Sequence, residues 1–129
     1  MFTPVRGFSG FSVNDIPAAK AFYGETLGLD VADGAMGNLE ITLPDGGTVF
    51  VYPKDNHEPA TFTILNFVVD DIDAAVDALN AKGVVTRIYD DPSFPTDEKG
   101  IARGKSVNQG PDIAWFRDPA SNVIAVLQN

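Results

Sequence analysis

The sequence predicts an α+β fold made of two tandem β-α-β-β-β modules, and three observations predict it. The first is a repeat. Phe11-Ser12-Val13-Asn14-Asp15-Ile16-Pro17-Ala18-Ala19 lies over Phe67-Val68-Val69-Asp70-Asp71-Ile72-Asp73-Ala74-Ala75, with Phe, Val, Asp, Ile, Ala and Ala matching at one offset (67 − 11 = 56). The second is a hairpin with a blurred copy. Pro111–Leu127 contains strand residues Ile113–Phe116, a turn Asp118-Pro119-Ala120-Ser121-Asn122 and strand residues Val123–Leu127, and Leu43–Tyr52 repeats it at an offset of 75 (119 − 44). The third is size: 129 residues with 44% hydrophobic content are enough for a real core.

Taken in order, Pro4–Val13 reads as a first strand. Asp15 caps a helix with Pro17 in its first turn, and Ile16, Ala19, Phe22, Tyr23 and Leu27 recur at helical spacing until Gly28 stops it. Leu29–Ala32, Leu39–Leu43 and Thr48–Tyr52 are strands separated by glycine-rich turns. This closes a module at residues 1–53. Residues 54–60 are polar, contain Pro59 and read as a linker. A second module, 61–129, begins with strand Thr61–Val69 and an Asp71-capped helix over about 71–82, with Ile72, Ala75, Val76 and Leu79 on its inner face. Val84–Tyr89 is expected to be a strand. The two offsets differ by 19 (75 − 56), which places the extra residues in the loop Asp90–Gly110. In the hairpin turn Asp118 accepts backbone N–H groups, Pro119 fixes φ, and Asn122 is expected to tolerate a left-handed conformation.

Composition excludes several function classes. No apolar run is long enough to span a membrane, and residues 1–10 lack the apolar block of a secretion signal, so a cytoplasmic location is expected. The absence of cysteine removes thiol catalysis and cysteine-ligated zinc. A net charge of −9 repels nucleic acid, so neither nucleic acid nor membrane is an expected partner.

A strand, an Asp-capped helix carrying Phe22-Tyr23 and followed by Leu27-Gly28-Leu29, then a late Phe116-Arg117-Asp118-Pro119 hairpin, all in duplicate, resembles the vicinal oxygen chelate superfamily. That group includes glyoxalase I, bleomycin resistance proteins, extradiol dioxygenases and fosfomycin resistance enzymes. The resemblance covers nearly the whole chain. It implies one domain whose two modules curve into a cupped mixed sheet with helices on the convex face, usually in a homodimer.

The metalloenzymes of that superfamily take ligands from the first and last strands of each module. Carried onto this chain, the four positions are Phe8, Phe50, Ile64 and Ala125, none with a donor atom. Metal-dependent glyoxalase or dioxygenase chemistry is therefore disfavoured, and no cofactor is expected. Residues two apart share a strand face. Phe8, Gly10 and Ser12, then Thr48, Phe50 and Tyr52, then Ile64, Asn66 and Val68, and finally Val123, Ala125 and Leu127 would line a mostly apolar cleft. Such a lining suits a small molecule. Trp115 is a candidate for stacking on a planar ligand, and Arg103 and Lys105 for placing cations over the cleft. His57, the only histidine, sits in the linker and reads as exposed.

Three readings stay open. The first is a binding protein that sequesters a small aromatic or amphipathic ligand, through Phe8, Phe50, Tyr52, Ile64, Asn66, Arg103, Trp115 and Ala125. The second is a metal-independent enzyme using Tyr52, Asn66, His57 or the charged loop. The third is an interaction module without a pocket.

Overall fold

The computed structural model describes residues 1–129, which gather into two compact units, Met1–Pro59 and Ala60–Asn129. In the first, β1 (Ser9–Val13) leads to α1 (Ile16–Lys20), and then come β2 (Asp30–Asp33), β3 (Leu39–Thr42) and β4 (Thr48–Pro53). The sheet order is β1-β4-β3-β2, with β1 parallel to β4 and the other pairs antiparallel. One face, carrying Phe11, Val13, Leu39, Ile41, Val49 and Val51, is buried. Phe11 packs on Tyr23 of the helical segment with ring centroids 5.8 Å apart. Asp15 caps α1 by accepting from the Ala18 N–H at 3.0 Å, and Pro17 lies where its missing N–H costs little.

The second unit repeats the plan. β5 (Thr63–Val68), α2 (Ile72–Ala81), β6 (Ala102–Arg103), β7 (Asp112–Arg117) and β8 (Val123–Gln128) form a sheet of order β5-β8-β7-β6, with β5 parallel to β8. The duplication extends to individual hydrogen bonds. Asp71 caps α2 through Ala74 N at 3.1 Å, as Asp15 caps α1. In the two hairpin turns, Leu43 N donates to Gly47 O and Asp118 N to Asn122 O, at 2.7 and 3.0 Å.

Four expectations are corrected. The first strand starts at Ser9 rather than Pro4, because its parallel partner β4 begins at Thr48 and the earlier residues run past it. The first helix changes after Lys20 into a π-helix, Ala21–Thr26, in which Tyr23 is fully buried and edge-on to Phe22. Val84–Tyr89 is not a strand. Its polar groups are taken up locally: Asn80 Nδ2 donates to Val84 O and to buried Thr86, whose hydroxyl donates to Lys99 O. The fourth strand position is filled instead by β6, from within the long loop. The left-handed residue of the hairpin turn is Ser121 (φ 66°), not Asn122, and its counterpart in the first turn is Gly46 (φ 95°).

Candidate functional site

Strand alternation leaves the second face of the first sheet outside the core, and it carries the aromatic side chains. In register across β1, β4 and β3 lie Gly10, Phe50 and Glu40, followed by Ser12 beside Tyr52. A Cβ at position 10 would meet the Phe50 carbonyl oxygen at 3.2 Å, its Cβ at 3.6 Å and its ring carbon Cδ1 at 3.7 Å, so glycine there lets Phe50 lie close against β1. The Phe50 and Tyr52 rings stack at 5.8 Å, and Phe8 meets Phe50 edge-on at 6.2 Å. These are favourable aromatic geometries, yet Phe8 stays 57% and Tyr52 37% exposed. The Arg6 guanidinium sits 5.1 Å from the centre of the Phe8 ring.

At the polar end of this face, Ser12 Oγ lies 2.6 Å from His57 Nδ1. The histidine was expected to be exposed in a linker, but it is half-buried. Lys54 N donates to Val13 O and His57 N to Lys54 O, and these bonds fold the chain back beside β1. Strand alternation put Ser12 on the same face as Gly10, and its register partner is Tyr52. Sequence reading missed the pairing with His57 because the contact spans 45 residues and no local pattern announces it.

Phe8, Phe50 and Tyr52 are thus brought together. The second unit places its expected site residues differently. Trp115 and Ala125 are buried, 8% and 0% exposed, in a cluster with Val123, Ile88, Tyr89, Ala102 and Ile113. Tyr89 and Phe94 cover the indole with ring centroids at 5.2 and 5.1 Å. The segment between α2 and β7 thus covers the face that these residues would otherwise line. Asn66, opposite Ala125, is exposed, and Ile64 is half-buried where the β5–β8 register shifts between Thr63 and Leu65. Phe94, Pro95, Ile101, Ala102, Val107 and Ile113 help line a cavity of about 450 Å³ beside this cluster.

Arg103 does not carry an open cation. By register it shares a sheet face with Asp112, opposite to Trp115 and Ala125. It binds both carboxylate oxygens of Asp73 at 2.7 and 3.0 Å and Asp97 at 3.1 Å. The Arg103 guanidinium, with help from Lys99, draws the Asp73 carboxyl down to about 2, and Asp73 in turn raises Arg103. Lys105 Nζ reaches the Asn129 carbonyl at 3.4 Å.

The metal positions implied by the resemblance do not fit a metal. Phe8, Phe50, Ile64 and Ala125 offer no side-chain donor, and no group of three His, Asp or Glu side chains is placed to hold an ion.

Comparison with known proteins agrees with this architecture. The profile of the Glyoxalase/Bleomycin resistance protein/Dioxygenase superfamily matches residues 8–126. The antibiotic binding protein TnmS3 from Streptomyces sp. CB03234 is 27% identical, with 98% of each chain covered and a TM-score of 0.66. The genomically encoded fosfomycin resistance protein FosX from Listeria monocytogenes is 13% identical (100% and 95% covered, TM-score 0.70). Lactoylglutathione lyase from Agrobacterium tumefaciens is 19% identical (98% and 95% covered, TM-score 0.64). Among curated proteins, none matches the chain by sequence.

Proposed function

The chain belongs to the Glyoxalase/Bleomycin resistance protein/Dioxygenase superfamily, and from that premise we propose that it is a small-molecule binding protein that holds a planar aromatic ligand. The observation that carries the reading is the stack of Phe8, Phe50 and Tyr52 on the uncovered face of the first sheet. Large apolar side chains left exposed together commonly mark a binding surface. The 27% identical antibiotic binding protein supports the class of function. Burying about 100 Å² of ligand ring at ~25 cal/mol/Å² contributes roughly 2.5 kcal/mol before ordering costs, so several such contacts with one or two hydrogen bonds reach micromolar affinity. Tyr52 offers one such bond. The ligand is neutral or cationic: Glu40 flanks Phe50, the net charge is −9, and Arg103, one of the cations that could have favoured anions, is held by carboxylates. Our reading keeps the chain as one metal-free domain, cytoplasmic and homodimeric.

The test is calorimetric titration with an acridinium dye. Phe50→Ala should weaken binding about tenfold, the loss of ~1.4 kcal/mol of stacking. Unchanged affinity in Phe50→Ala would refute the site.

A further inference from the structure

We propose that Ser12 and His57 form a nucleophile–base pair that transfers the acyl group of aryl esters, an inference that rests on the aromatic seat described above. In the Nε2–H tautomer, in which His57 Nδ1 accepts from Ser12 Oγ, the geometry is that of an activated hydroxyl. Ser12 Oγ is 2.6 Å from His57 Nδ1, within the range in which an imidazole removes a hydroxyl proton as the oxygen attacks. Both side chains are half-buried, so the pair is held and still reachable. The imidazole is carried on a turn fixed by the bonds from Lys54 N to Val13 O and from His57 N to Lys54 O.

The neighbours select the substrate class. Tyr52 is the register partner of Ser12, and Phe50 stacks on Tyr52 along the same face. A substrate ring resting on Phe50 presents its ester substituent toward Ser12. The ester is uncharged or cationic at the ring, because Glu40 stands across from Phe50. In acylation the Ser12 proton passes to His57 Nδ1, Oγ bonds to the ester carbonyl carbon, and the bond from that carbon to the aryl oxygen breaks. The phenolate leaves with the proton that His57 gives back. In the second half His57 takes a proton from water, whose oxygen attacks the acyl carbon, and Ser12 Oγ departs and is reprotonated. Water is the only co-reactant. Tyr52 is the hydroxyl donor nearest in register to stabilise the developing oxyanion.

The test uses p-nitrophenyl acetate with the whole chain, reading p-nitrophenol release and the mass of the tryptic peptide that carries Ser12. The expected result is one acetyl group on Ser12, with release slowed at least tenfold in both Ser12→Ala and His57→Gln. Ser12→Cys, which keeps a nucleophile, should still be acylated. Acetylation of His57 alone, or equal rates in wild type and Ser12→Ala with no adduct on Ser12, would overturn the proposal and leave the 2.6 Å bond as a tie between loop and strand. Acridinium titration of Ser12→Ala separates the two readings. Dye bound normally without an acyl adduct in wild type refutes only the acyl transfer. Dye bound by neither protein refutes the aromatic seat as well.

Discussion

Single residues show how closely local chemistry fixes this fold. Asp118 is 4% exposed and accepts from Ala120 N and Asn122 N at 2.9 Å and from Asn122 Nδ2 at 3.0 Å. Removing the carboxylate strands buried donors, so Asp118→Ala should lower stability by about 2–4 kcal/mol, read from the urea midpoint. Ser121 presents the opposite case. It holds φ at 66°, where its counterpart Gly46 is unstrained, so Ser121→Gly should be neutral or stabilising by up to ~1 kcal/mol in the same measurement. The turn was legible in the sequence as Asp-Pro-Ala-Ser-Asn. The left-handed position was read one residue late because Asn is the commoner occupant, while here the Asn side chain is committed to Asp118. At the candidate site, alternation sufficed to place Phe50, Tyr52 and Ser12 on one face. The position of Trp115 was not legible, since what covers it comes from a loop without periodicity.

At the level of elements, the lengthened loop is fastened to α2 by charge. Lys99 reaches Asp77 at 3.0 Å and Asp73 at 3.4 Å, while Arg103 chelates Asp73. Sequence alone placed Arg103 in the long loop as a cation for the cleft. Nothing in it said that the two segments meet, because the pairs span 26 and 30 residues. Asp73 titrates at about 2, below its ordinary value of 3.8. A depressed carboxylate contributes stability that is whole above the unfolded value and lost as pH falls through the folded one. Protection factors of the Ile101 and Ala102 amides, corrected for the pH dependence of intrinsic exchange, should therefore hold down to about pH 4 and fall as pH drops toward 2. Arg103→Ala should accelerate the same amides at neutral pH and leave β1 and β4 unchanged. Equal protection in the variant would show that Thr86 and the sheet edge hold the loop without the ion pairs.

For the whole molecule, duplication explains most of what could be read in advance. The offsets of 56 and 75 residues reappear as repeated caps, turns and parallel strand pairs, so the element order followed from the repeat. The two halves differ in the second face of their sheets. The first leaves an aromatic face open, whereas the second covers its corresponding face with Tyr89 and Phe94. With a net charge of −9, association of a cationic planar ligand should slow markedly as salt is raised, whereas a neutral analogue should be little affected. Stopped-flow rates at low and high ionic strength check this. Where a ligand binds is the most direct measurement of the aromatic face. Backbone and aromatic NMR shifts recorded during titration with an acridinium dye should move most at Phe8, Gly10, Phe50 and Tyr52. Shifts confined to residues 93–113, or none at saturating dye, would contradict binding on that face.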